Sequence, residues 1–131
     1  MWALPPPTKL LPILERLKTG YKLWFEYYQV LPKAHRYTLG SRIDVLLINT
    51  IEAISAASFS PRSAKLPHAQ LASRKLDTAK VLLLILWETK SLDDKKFIAL
   101  SAPLEEVGRM LGGWQGQIIK QNSPSTAPGE Q

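Results

Sequence analysis

The sequence predicts an all-α protein, an up-down-up-down antiparallel four-helix bundle. Three observations carry this. Apolar residues recur at helical spacing in four separate segments of about 20 residues each. The segments between them are short and rich in Pro, Ser and other turn formers. No segment alternates apolar and polar residues with period two, so no strand is predicted. At 131 residues and 45% hydrophobic content, the chain has the size of one domain and is too apolar to be disordered throughout.

Residues 1–9 include three consecutive prolines, Pro5 to Pro7. Proline fixes φ and offers no amide donor, so this stretch is predicted to be an extended arm in front of a bundle over residues 10–121. Helix one is predicted over Leu10 to Val30, with its buried stripe at Leu10, Ile13, Leu14, Leu17, Tyr21, Trp24 and Tyr28. Phe25 is expected to widen that stripe and Tyr27 to point outward. Pro32 then breaks the chain and is expected in the first turn of helix two, where its missing amide costs nothing. Helix two runs to about Ser58, with Leu39, Ile43, Leu46, Leu47, Thr50, Ile51, Ile54 and Ala57 facing the core. Gly40 within it fits either a close helix neighbour or simple tolerance.

The segment 59–67 reads as a basic Ser/Pro loop, followed by helix three over Pro67 to Lys90 with a stripe at Ala72, Leu76, Ala79, Leu83, Leu86 and Trp87. Asp93 is a candidate N-cap for helix four, because its carboxylate can accept an otherwise unpaired amide. Helix four has the most regular stripe: Phe97, Leu100, Leu104, Val107, Leu111, Trp114 and Ile118, spaced alternately by three and four. Pro103 is expected to kink it. Four glycines between Gly108 and Gly116 imply that its end is soft or packs tightly against something. Residues 122–131 are polar and Pro/Ser-rich and are expected to be a disordered tail.

Two helices carry large aliphatic residues on the face opposite the core stripe. At about 100° per residue, Val81 points away from the core of helix three, flanked by Leu84 and Ile85. Val45 and Ile48 occupy the same place on helix two. Apolar strips rimmed by charge mark interfaces, so these five residues are the predicted surface of self-association.

The search for chemistry finds no catalytic set. There are no cysteines, which removes disulfides, thiolate metal sites and thiol nucleophiles. The two histidines, His35 and His68, have no ligand partner at helical spacing and read as solvated or capping residues. The glycines of helix four lack the Lys-Ser/Thr of a phosphate loop. Adjacent acids on a helix diverge, so Glu105 and Glu106 read as helix-start acids or partners of Arg109 rather than as an acid–base couple. The sequence therefore predicts a non-enzyme without cofactor or metal. No apolar run approaches the ~20 residues that span a bilayer, and no signal peptide is evident. A cytoplasmic protein with no membrane partner is expected.

Charge points to a partner. The formal excess is +6, from 17 Lys and Arg against 11 Asp and Glu. Such an excess suits RNA, DNA or an acidic membrane surface, and also serves plain solubility. Between Lys33 and Lys75 the only acids are Asp44 and Glu52. The candidate contacts with nucleic acid or a protein partner are Arg16, Lys18 and Lys22 on helix one, Lys33, Arg36 and Arg42 where helix two opens, and Arg74, Lys75 and Lys80 on helix three. Arg62 and Lys65 add charge in the loop between helices two and three. Phosphate recognition needs cations spread over a surface more than one fixed geometry. Lys33, Arg36 and Arg42 are all expected to face outward.

Three stretches carry a resemblance: LPKAHRYTLGSRI over 31–43, LDTAKVLLLILWETK over 76–90, and EEVGRMLGGW over 105–114. In them the chain resembles the accessory variability determinant proteins of diversity-generating retroelements, within the four-helix-bundle superfamily that includes proteins encoded in 23S rRNA intervening sequences. The intervening-sequence proteins carry a Pro-Asn-Ile-x-Glu-Gly motif late in helix two, where this chain reads IEAISAASF. The resemblance implies a homo-pentameric barrel of bundles that binds nucleic acid and the element's reverse transcriptase and supports mutagenic cDNA synthesis without being the polymerase. A structural or adaptor bundle of the intervening-sequence type is the alternative it leaves open.

Overall fold

A computed structural model describes residues 11–123. The arm expected over 1–9, Leu10 of the predicted helix-one stripe, and residues 124–131 of the expected tail lie outside the described residues, whereas Asn122, expected in that tail, closes the last helix. Four long helices make up the described chain: α1 (Leu11–Gln29), α2 (Ser41–Ser58), α3 (Lys65–Glu88) and α4 (Asp94–Asn122). A helical turn at Lys33–His35 and a π-helical stretch at Arg36–Gly40 run straight into α2. A 3-10 turn at Arg62–Ala64 leads into α3.

Neighbouring helices run antiparallel, as their cross-contacts show. Along α3 and α4, Trp87 meets Asp94, Lys80 meets Glu105 and Ser73 meets Gln115. Along α1 and α4, Tyr27 lies under Lys96 and Arg16 pairs with Glu106. The most extensive packing is between α2 and α3, followed by α3 with α4 and then α4 with α1, while α1 touches α2 more lightly. This is the expected up-down-up-down order.

The core follows the predicted stripes. Ile13, Leu17, Trp24, Ile43, Leu47, Ile54, Leu76, Leu83, Leu86, Leu100, Leu104, Val107, Leu111, Trp114 and Ile118 are all buried. Each large aliphatic among them contributes about 1.5–3 kcal/mol by leaving water. The alanines Ala69, Ala72 and Ala79 are also fully buried, which fits the close packing of α2 on α3. Two aromatic predictions on helix one fail. Phe25 is 52% exposed and does not widen the core, whereas Tyr27 is half-buried because α4 brings Lys96 over its ring.

The entry to α2 is tighter than its sequence suggests. Pro32 stands just before the first turn as its N-cap, and its carbonyl accepts from both His35 and Arg36. The π-helical stretch that follows holds Gly40 against α1: a Cβ there would lie 2.9 Å from Leu31 and 3.0 Å from Tyr28. Close approach, not tolerance, accounts for this glycine. Gly20 on α1 does the same against α4, where a Cβ would come within 2.9 Å of Leu104.

Helix three begins two residues earlier than predicted, so Pro67 falls in its first turn, where no intrahelical donor is required. It ends at Glu88 in a Schellman turn: Ser91 N–H donates to Leu86 and Lys90 N–H to Trp87, with Lys90 at φ 68°. Asp93 caps α4 as expected, accepting from the Lys96 amide at 2.8 Å. Helix α4 continues through Pro103, which is itself buried. A Cβ at Gly112, Gly113 or Gly116 would meet nothing within 4 Å, so no tight contact among the described residues explains them.

Candidate functional site

The basic residues divide by whether the fold already engages them. Arg16 pairs with Glu106 at 3.0 Å and Lys18 with Glu15 at 3.0 Å. Lys80 lies between Glu105 at 3.2 Å and Asp77 at 3.9 Å. These are surface or half-surface pairs, each worth well under about 1 kcal/mol, but they lower the local charge that a polyanion would meet. The two glutamates of α4 are thus taken by Lys80 and Arg16 and not by Arg109, since the antiparallel neighbours α3 and α1 reach them from either side.

Arg36 does not face outward. Its guanidinium donates through Nε at 3.2 Å and Nη2 at 2.9 Å to the carbonyl of Leu31, just past the end of α1. A bifurcated, charge-assisted contact of this kind satisfies a carbonyl that the helix end leaves open. Arg36 therefore ties the α1–α2 connection together, and its Cζ lies 6.0 Å from the centroid of the exposed Tyr37 ring. His35 is likewise engaged rather than solvated: its Nδ1 is 2.6 Å from Ser91 Oγ, joining the start of α2 to the turn after α3.

Six of the nine candidates have no acidic partner among the described residues, and with Arg36 held by the Leu31 carbonyl there remain Lys22, Lys33, Arg42, Arg74 and Lys75. All are exposed except Lys75, which is half-buried. The fold does not gather them at one point. Lys22 is on α1, Lys33 and Arg42 stand at the opening of α2, and Arg74 and Lys75 are in the first half of α3.

The outward apolar strips lie where the sequence places them, with one exception. Val45, Ile48, Val81 and Leu84 are exposed by 46%, 38%, 55% and 40%. Ile85 is half-buried. The pairings His35–Ser91 and Ala57–Lys65 set the α2–α3 register, and they bring Val45 and Val81 to about the same height.

A polar clasp connects α1 to α2 and was not foreseen. Asp44 Oδ1 accepts from the Tyr21 hydroxyl at 2.8 Å and from Trp24 Nε1 at 3.2 Å. Burial, and then the bond to Asp44, push the Tyr21 hydroxyl up to about 12. Burial chiefly, then the charges of Glu26 and Asp93, also raise Tyr27. The sequence signal was Asp44 itself, an acid one position from the core residue Ile43; its partners become visible only once α1 is laid alongside.

An open depression of about 880 Å³ lies at the α3–α4 turn, lined by Trp87, Leu92 and several charged residues. Its two aspartates are already engaged, Asp93 as the N-cap and Asp94 as acceptor from Trp87 Nε1 at 2.7 Å. No group of three His, Asp or Glu residues arranged to hold a metal ion occurs among the described residues, and no described helix is long and apolar enough to cross a membrane. No protein-family model matches the chain, and no curated protein matches it in sequence.

Proposed function

We propose that this protein is a non-catalytic accessory factor that binds nucleic acid and a reverse transcriptase, in the manner of a diversity-generating retroelement. The observation that carries the binding part is the set of unneutralised cations: Lys22, Lys33, Arg42, Arg74 and Lys75 meet no acid in the described fold. The retroelement part rests on the resemblance over 31–43, 76–90 and 105–114. RNA binding followed by fluorescence anisotropy tests the first. Affinity should fall steeply between about 50 and 200 mM salt, because counterion release drives it. No binding at the lower salt defeats the reading and leaves a structural or adaptor bundle. Co-purification with the reverse transcriptase encoded beside its gene tests the second.

The protein works as a homo-oligomer, in our reading a pentameric barrel. The exposed strip of Val45, Ile48, Val81 and Leu84 supports self-association, since four large aliphatics on adjacent outer faces form an apolar patch that a solitary bundle leaves in water. Light scattering should give a mass well above the 14.7 kDa of one chain. Val45→Glu with Val81→Glu should bring the mass down to that of one chain. A wild-type monomer at micromolar concentration refutes the assembly.

A further inference from the structure

The charge of this chain is concentrated in one half of the bundle. From Ala53 to Leu76 the sequence holds no Asp or Glu, and from Val107 to Ser123 it again holds none. Those two stretches contain Arg62, Lys65, Arg74, Lys75, Arg109 and Lys120. The chain's formal excess is +6, so these six cations equal all of it, and the other Lys and Arg are matched in number by the acids.

The antiparallel fold puts both stretches at the same end. The first comprises the last turn of α2, the connection and the first half of α3; the second is the last half of α4. Gln115 Nε2 donates to Ser73 Oγ, and Asn122 Nδ2 donates to the Arg62 carbonyl at 3.3 Å, so the two stretches touch at both levels. Arg62, Arg74, Arg109 and Lys120 are exposed, and none has an acidic partner among the described residues. Lys65 is used internally, donating to the Ala57 carbonyl at 2.8 Å at the end of α2. Helix α3 also starts here without a side-chain cap and without an acid in its first turn. Its amide end adds partial positive charge to the same surface. The opposite half differs: Lys90, Lys95 and Lys96 alternate there with Glu88, Asp93 and Asp94.

We infer that this half of the bundle, centred on Arg62, Arg74, Arg109 and Lys120, is the surface that takes the phosphate backbone of a nucleic acid. The inference rests on the nucleic-acid-binding reading above and locates it. From Arg62 to Arg74 and from Arg109 to Lys120 the chain advances roughly 15 Å at about 1.5 Å per residue. At about 3.4 Å of axis per phosphate on each strand, that length spans roughly four phosphates.

The test uses the full chain with a 20-nucleotide single-stranded RNA and a duplex DNA of equal length, titrated by anisotropy from low to moderate salt. One variant carries Arg62→Gln, Arg74→Gln, Arg109→Gln and Lys120→Gln. A control carries Lys90→Gln, Lys95→Gln and Lys96→Gln, cations of the other half that alternate with Glu88, Asp93 and Asp94. Circular dichroism verifies that both remain helical. With about four phosphates neutralised, wild-type affinity for the single strand should fall about 50-fold between 50 and 200 mM salt. The first variant should bind about tenfold or more weakly at the lower salt and lose most of that salt slope. The control should keep both within about threefold, since its cations lie among acids. Equal losses in both variants, or a loss confined to the control, overturn the location while the functional reading stands. A wild type that binds neither nucleic acid but binds anionic phospholipid vesicles overturns both.

Discussion

Asp44→Ala tests the polar clasp between α1 and α2. The carboxylate accepts two hydrogen bonds through one oxygen, from the Tyr21 hydroxyl at 2.8 Å and Trp24 Nε1 at 3.2 Å. Trp24 is 0% exposed, so after truncation no bulk water reaches its indole N–H. An unmet buried donor costs about 2 kcal/mol. Tyr21 is only half-buried, and its hydroxyl can turn to water, so its loss adds about 1 kcal/mol. The expected total is about 3 kcal/mol, a fifth or more of the ~5–15 kcal/mol by which such domains are stable. Melting should fall by about 10 °C, and the urea midpoint should fall without a change in slope. Asp44→Asn, which retains one acceptor oxygen, should lose only about 1 kcal/mol. A double-mutant cycle with Tyr21→Phe should return a coupling of about 1 kcal/mol. Titration gives a separate reading. Tyr21 is held at about 12 in the folded protein, against about 10 when unfolded. Because the folded value is the higher one, its contribution is intact below pH 10 and is lost as pH rises toward 12. In Asp44→Ala the tyrosinate absorbance assigned to Tyr21 should shift down toward 10. A variant within about 0.5 kcal/mol of wild type would refute the reasoning, because it would mean that Trp24 finds another acceptor.

Two further substitutions probe backbone and packing. Lys90 holds φ 68° at the end of α3, where glycine carries no Cβ penalty, so Lys90→Gly should stabilise the protein by about 1 kcal/mol in urea denaturation. Gly20→Val should destabilise it by about 1–3 kcal/mol, because the added Cβ meets Leu104 at 2.9 Å in a buried contact; Gly20→Ala should lose less, since its better helix propensity returns about 1 kcal/mol.

The helices and their buried faces were legible because one signal, apolar spacing, determines both. Leu100, Leu104, Val107, Leu111, Trp114 and Ile118 are buried as their spacing predicts. The N-cap Asp93 was legible because its partner is three residues away in the chain. The two aromatic readings on helix one failed because they depended on a neighbour from elsewhere in the chain. Phe25 and Tyr27 lie two residues apart on the margin of the α1 stripe, and only the position of α4 decides that Lys96 covers Tyr27 and leaves Phe25 in water. Arg36 looked like a surface cation until its guanidinium met the Leu31 carbonyl, a local contact that composition does not reveal. The π-helical stretch had no periodicity signal, because five residues are too few to show one. The basic half was visible as two acid-free stretches, but 31 positions separate Leu76 from Val107 in the chain. Only the antiparallel packing of α3 and α4 joins them.

The apolar strip and the basic half occupy different parts of the bundle, and this separation links the two proposals. Val45 and Val81 stand on the outer faces of α2 and α3, whereas Arg62 and Lys120 lie at the end where α2 passes into α3 and α4 finishes. Copies arranged around a closed cyclic ring keep like ends on one side. In the proposed barrel every basic half would therefore stand on the same rim, and a strand following that rim would meet several cation sets in turn. Binding then becomes multivalent, with each further contact favoured by a high effective concentration. The same arrangement sets like charges against each other, and self-repulsion opposes assembly when no polyanion is present. A two-fold dimer with opposed axes would instead place the basic halves at opposite ends and separate the two effects. In the ring, assembly and nucleic-acid binding reinforce each other, and reciprocity requires that each strengthen the other by the same factor.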